Sequence, residues 1–178
     1  AQFRITPNVK EREYLTEGEI RQLIEHEFAD TTLAFTRDLF VFACFTALSF
    51  ADIRELTTDE IMDVNGEKWI ISKRHKTGVP FQVKLLDIPL QIIGKYRPFQ
   101  KDNSVFGEIN YWNVCKKLKK VISECGINKQ ISFHCSRHTF GTLALSKGMP
   151  IESVSRVLGH TNIKTTQIYA KITTQKLG

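Results

Sequence analysis

Residues 132–169 read SFHCSRHTFGTLALSKGMPIESVSRVLGHTNIKTTQIY. Apolar residues recur there at helical spacing between two clear stops, Gly148 and Gly159, with Pro150 at the start of the middle segment. The pattern predicts three short helices, over 135–147, 151–158 and 163–171. The same run holds three of the chain's five histidines and one of its four tyrosines, with Arg137 among them. A hydrophobic core does not require that grouping of His134, Arg137, His138, His160 and Tyr169.

Upstream, Thr16-Glu17-Gly18-Glu19 has the form of a capping box, in which a threonine hydroxyl takes a backbone N–H and a glutamate reaches back. The helix it opens carries Ile20, Leu23, Ile24 and Phe28 on one face. Residues 31–48 are apolar nearly all round (Leu33, Phe35, Leu39, Phe40, Val41, Phe42, Phe45, Leu48), as befits a helix buried on every side. Core packing is the reading for the phenylalanines gathered there. Asn65-Gly66 between two β-like runs is a two-residue hairpin signal, and Thr77-Gly78-Val79-Pro80 leads into a third run at 81–86. Residues 110–125 place Val114, Leu118, Val121, Ile122 and Cys125 on one helix face and Lys116, Lys117, Lys119 and Lys120 largely on the other. The expected class is therefore mainly α with a small three-stranded antiparallel sheet (α+β). Residues 1–14 read as a polar arm or linker from a missing domain, and 15–178 as one domain.

The bulk numbers agree with one domain: 178 residues, 42% hydrophobic and 25% charged. Twenty-five Lys+Arg against nineteen Asp+Glu give a formal charge of +6, which favours a polyanionic partner such as nucleic acid or anionic lipid. No apolar run approaches the ~20 residues that span a membrane. The four cysteines form no CxxC pair, so reduced thiols are expected, and a zinc site built on Cys125, His134, Cys135 and His138 is not assigned.

The residue types suit phosphodiester cleavage without water or metal. That chemistry needs a nucleophile, a proton acceptor, a proton donor for the leaving oxygen, and cations on the non-bridging oxygens. His134 and Arg137, spaced i and i+3, share a face at a helix start. His160 follows the stop at Leu158-Gly159, and Tyr169 comes nine residues later on the next helix.

These residues resemble the tyrosine recombinase (phage integrase) family. His134-Cys135-Ser136-Arg137-His138-Thr139-Phe140 is similar to its HxxRHTF box, and Leu158-Gly159-His160 with Thr165-Thr166-Gln167-Ile168-Tyr169 to its LGH…TTxxY box. Lys76-Thr77-Gly78 resembles the segment carrying the family's lysine. The resemblance implies the family's catalytic-domain fold and strand cleavage by Tyr169 through a 3′-phosphotyrosyl link. It implies Lys76 as proton donor to the 5′-oxygen, Arg137 and His160 on the non-bridging oxygens, and His134 assisting proton movement at the nucleophile. Neither cofactor nor metal is implied. Double-stranded DNA carrying att sites would be the substrate, and sister protomers in a synaptic tetramer the partners. The setting would be the bacterial cytoplasm, on the nucleoid.

One departure stands out. The family's first arginine sits in a segment like TGLRxxEL, and here Ser49 occupies its place in Thr46-Ala47-Leu48-Ser49-Phe50-Ala51-Asp52-Ile53. Some integrases of Bacteroides-type conjugative elements are similar in this respect. A guanidinium ~4 Å from a phosphate oxygen is worth roughly 4 kcal/mol at an effective dielectric of 20, so either the domain is inactive or another cation fills the site. Arg74, two residues before Lys76, is the candidate, expected on the same strand face. Arg54 would point elsewhere. Lys73, Lys116, Lys117, Lys120 and Lys164 are candidate phosphate contacts, although a lysine-rich helix face also suits plain solvation. Two other functions stay open: a non-catalytic helix-turn-helix repressor using 151–171, and a topoisomerase-like relaxase sharing the tyrosine chemistry.

Overall fold

The structure, a computed structural model, describes residues 13–160 and 163–177, with side chains through 170. The expected arm at 1–14 lies almost wholly outside these residues. Where description begins, Leu15 is buried and its N–H donates to Thr139 Oγ1 at 3.0 Å. Helix α1 (Glu17–Glu25) starts at the expected capping box: Glu19 N donates to Thr16 Oγ1 at 3.2 Å, and Thr16 N to Glu19 Oε1 at 2.9 Å. Its apolar face buries Ile20 and Leu23.

Helix α2 (Thr31–Thr46) is the central element. It packs against α1, against α4 (Asp87–Tyr96), against α5 (Tyr111–Glu124) and against α6 (Cys135–Ser146). A helix with neighbours on all sides needs an apolar surface all round, which explains its composition. Phe40 meets Phe133, Phe42 meets Phe106, and Phe50 meets Phe133, all edge to face with centroids 5.0–5.8 Å apart. The phenylalanines of this region are core. Phe99, 82% exposed, departs from that rule.

After α2 the chain turns at Ala47, whose φ of 60° puts a non-glycine residue in the left-handed region. Short helix α3 (Phe50–Glu55) follows. Ser49 is its N-cap, in a reciprocal capping box with Asp52: Asp52 N to Ser49 Oγ and Ser49 N to Asp52 Oδ2, both 3.1 Å.

Strands β1 (Ile61–Val64), β2 (Glu67–Lys73) and β3 (Pro80–Lys84) form an antiparallel sheet in that order. Asn65 (φ 53°) and Gly66 (φ 82°) make the turn between β1 and β2, since a two-residue turn with both central φ values positive follows the strand twist. Ile70, opposite Ile61 and Val83, anchors the sheet to the core. The third run ends two residues before expected, because Leu86 already serves as the N-cap of α4.

Helix α7 (Ile151–Leu158) and helix α8 (Ile163–Leu177) complete the fold, both packed on α6. Gly159, at φ 72°, supplies the left-handed residue that ends α7. Ala47, Phe140, Val154, Leu158 and Tyr169 form a second, smaller apolar cluster. The four cysteines form no disulfide. Cys44 is fully buried, and burial pushes its thiol well above the usual range.

Candidate active site

Two guanidinium groups converge on one carbonyl oxygen. Arg137, in the first turn of α6, donates from Nη1 to Ala47 O at 2.7 Å and from Nη2 to Leu158 O. Arg74, just beyond β2, donates from Nη1 to the same Ala47 O at 2.9 Å and from Nη2 to Val157 O. The strained turn at Ala47 thus aims its carbonyl at both cations, and the last turn of α7 supplies two more carbonyls.

Asp52 supplies the carboxylate of this cluster. Its Oδ2 accepts from Arg74 Nη1 at 3.0 Å and its Oδ1 from His75 N at 2.8 Å, while it also caps Ser49. Burial pushes its pKa up, but these hydrogen bonds outweigh burial and hold it below the ordinary aspartate value. Burial lowers the Arg74 pKa, with Asp52 pulling the other way. Arg137 is brought down to about 10, first by burial and then by the neighbouring Arg74, with Asp52 and the Tyr169 phenol acting in the opposite sense. Both arginines stay charged at neutral pH. Two cations held together against one carboxylate leave an excess positive charge suited to an anion. The Arg74 guanidinium also stacks over Phe81, 4.3 Å from the ring centroid. Its Nε is buried beside Gly159 with no acceptor among the described residues.

The expected Arg74/Lys76 pairing on one strand face needs correction. β2 ends at Lys73, and residues 74–79 form a turn closed by Arg74 N to Val79 O and Gly78 N to Arg74 O, both 2.8 Å. Strand periodicity therefore does not extend to residue 76. Arg74 points inward, 7% exposed, and Lys76 stands exposed in the turn. Arg54 is exposed and paired with Glu55 at 3.5 Å, away from the cluster as expected.

His134 occupies the position just before α6, where its side chain makes no capping hydrogen bond to the helix, and is exposed. Its ring meets that of His138 edge-on at 5.0 Å. His138, to which the resemblance gives no role, is in contact with the tyrosine: Nδ1 lies 2.5 Å from Tyr169 Oη. His160 follows the end of α7, with Nδ1 2.7 Å from Thr166 Oγ1. Tyr169 is 6% exposed and lies on α8 against α6. Of the lysines, Lys73, Lys116, Lys120 and Lys164 are exposed and Lys117 is half-buried. Among the described residues no group of three or more His, Cys, Asp or Glu side chains is placed to hold a metal.

Buried Arg74 from the turn after β2, half-buried Arg137 on α6 and Tyr169 on α8 coincide with a family match running from residue 13 to residue 176, described as the phage integrase family. The chain belongs to the phage integrase family. A tyrosine recombinase XerA of Pyrococcus horikoshii is 32% identical over 136 residues, which cover 70% of this chain and 47% of the relative. A tyrosine recombinase XerD of Listeria monocytogenes is 42% identical over 67 residues, 38% of this chain and 22% of the relative. The chain spans less than half the length of these relatives. Among solved structures, the XerH site-specific recombinase bound to palindromic difH substrate matches with a TM-score of 0.75 at 21% identity, covering 93% of this chain and 51% of that one. The Tn1549 transposon integrase, in complex with circular intermediate DNA, matches at 0.74 and 16% identity, covering 91% and 62%. These likenesses establish the phage integrase catalytic-domain fold for this chain, mostly helical with one three-stranded antiparallel sheet.

Proposed function

We propose that this domain cleaves and rejoins duplex DNA site-specifically, as the catalytic part of an integrase of a mobile element. The observation that carries the reading is the convergence of Arg74 and Arg137 on Ala47 O, two residues before Ser49. Ser49 stands where the family's pattern carries its first arginine, and in this reading the Arg74 guanidinium, from the β2–β3 turn, supplies the missing cation. Asp52, which caps Ser49, also anchors it.

In this reading the Tyr169 oxygen attacks the scissile phosphorus, and the bond to the 5′-oxygen breaks. A 3′-phosphotyrosyl link and a free 5′-hydroxyl result. Arg137 and Arg74 stabilise the charge that builds on the non-bridging oxygens, and His160 adds a donor. Lys76 gives the departing 5′-oxygen its proton; its exposure on a turn fits a group that must reach DNA. The phenolic proton leaves toward the His134/His138 side. The phosphoryl bond energy is retained in the link, so rejoining proceeds by the reverse attack of a 5′-hydroxyl and uses no nucleotide. Lys73, Lys116, Lys117, Lys120 and Lys164 would contact the duplex backbone, which makes affinity fall steeply with salt. Sister protomers on paired att sites complete the assembly, and the protein acts in the cytoplasm on nucleoid DNA. The residues before 15 would join this domain to one that grips the duplex from the other side. A helix-turn-helix repressor fits less well, because the face of α8 that bears Tyr169 is packed on α6.

The test is covalent trapping. The full-length protein, incubated with a nicked duplex carrying its att site, should give an SDS-resistant adduct that disappears in Tyr169→Phe. No adduct from the parent protein would leave DNA binding without chemistry.

A further inference from the structure

Helix α7 ends in the pair of hydrogen bonds that a left-handed glycine makes possible. Gly159 N donates to Arg156 O at 3.1 Å and His160 N to Ser155 O at 3.0 Å. Short-range chemistry therefore sets the backbone of His160. Its ring is held from another helix: Nδ1 lies 2.7 Å from Oγ1 of Thr166, one turn into α8. Thr166 is 0% exposed, and its hydroxyl has no other partner among the described residues. A buried hydroxyl keeps its one proton in a hydrogen bond. That proton goes to Nδ1, which makes Nδ1 the lone-pair nitrogen and leaves the ring's own proton on Nε2. The two carbonyls just before this corner, Val157 O and Leu158 O, are the ones that accept from Arg74 and Arg137. Positions 166 and 169 share one face of α8, so the threonine that holds the imidazole sits one turn from the tyrosine.

We propose that Thr166 is a positioning residue: its hydroxyl fixes the plane and the tautomer of His160, so that Nε2 offers an N–H to a non-bridging phosphate oxygen. This deepens the cleavage reading and rests on His160 being a donor there. A neutral imidazole has one N–H and one lone pair. With its proton on Nδ1, or with the ring turned over, it would aim the lone pair at an oxygen that also carries negative charge. A donor fixed in advance is worth most, because nothing has to reorient as charge builds in the transition state. Thr166, being fully buried, acts through the imidazole and not on the phosphate itself.

The pairing is read first by NMR of the full-length, DNA-free recombinase carrying labelled nitrogen only in its histidines, above about pH 7.5, where an ordinary imidazole is neutral. The His160 signals, identified by their loss in His160→Gln, should show a protonated Nε2 and an Nδ1 shifted toward the hydrogen-bonded acceptor position. Thr166→Val keeps the shape and drops the hydroxyl, so Nδ1 should move to the unbonded position; in Thr166→Ser it should stay near the parent's. A proton on Nδ1 in the parent, or an Nδ1 signal that valine leaves unchanged, would overturn the assignment. Adduct formation on the nicked att substrate then tests the role. Its rate should fall about fivefold in Thr166→Val, the equivalent of one hydrogen bond, and stay within about twofold in Thr166→Ser. In a His160→Ala background Thr166→Val should cost nothing further. A second loss of the same size there would make Thr166 a packing residue and end its role through His160. No adduct from the parent would overturn the cleavage reading, whereas the NMR signals decide the pairing whatever the chemistry.

Discussion

The molecule has two buried regions built on opposite principles. Around α2, Phe40, Phe42, Leu39, Leu23 and Leu48 are completely enclosed, and their contribution is apolar area removed from water. Around Ala47, the interior instead holds Arg74, Asp52, His138 and the half-buried Arg137. The charges of Arg74, Asp52 and Arg137 each cost free energy to desolvate, and partners recover it only in part. The first region would serve any helical domain. The second brings two cations together against one carboxylate, an excess of charge that folding alone does not call for. The difference is what the proposed function requires: a polar region able to hold an anion, kept in place by an apolar one.

The sharpest way to break this comparison is Arg74→Ala. If the polar region is catalytic, covalent-adduct formation by the full-length protein should fall by roughly 10²–10³-fold, the range for removing one preorganised donor. Activity equal to the parent would show that Arg74 is a structural cation. The mirror experiment is Phe42→Ala in the apolar region, expected to cost about 3–5 kcal/mol in urea denaturation. The fraction that remains folded should still form adduct at the parent rate.

Asp52→Asn tests the seam between the two regions. It leaves Arg74 buried without its carboxylate, and breaking such a pair costs about 3–5 kcal/mol by removing one partner. The pH dependence has a definite sign. The folded-state pKa of Asp52 lies below its ordinary 3.8, so its contribution is fully present above that value and is lost as pH falls through the folded pKa. Urea midpoints of parent and Asp52→Asn should therefore differ most at pH 6–7 and converge toward pH 3, an order-of-magnitude window set by the same linkage. A gap that widens in acid would rule out this ionised pair. The smallest effect belongs to a region that serves neither function. Gly66→Ala, at φ 82° in an exposed turn, should cost about 1 kcal/mol in thermal unfolding and leave adduct formation untouched.

Local signals in the chain were readable because they act over four residues or fewer. The Thr16–Glu19 capping box and the Asn65-Gly66 turn depend on near neighbours, and both occur as their sequences predict. The all-round apolar pattern of 31–48 likewise announced a central helix. Arg74 was singled out by its nearness to Lys76, but the strand-face argument behind it fails, because β2 stops at Lys73 and the chain turns. What brings Arg74 to its place is a carboxylate 22 residues earlier and carbonyls on α2's end and α7. Ser49 looked like a vacancy for a lost arginine. In the structure it has its own task as the cap of α3.

By itself, then, the sequence determined the helices, the hairpin and the set of chemically able side chains, since periodicity, capping and turn chemistry are short-range. Only tertiary structure decided which of those side chains meet. Pairing His138 with Tyr169 spans 31 residues, and joining Arg74 to Val157 spans 83. Contacts of that range are set by how α6, α7 and α8 pack on one another and on the end of α2. No local pattern encodes them, because the free energy that fixes them comes from burial shared across the whole domain.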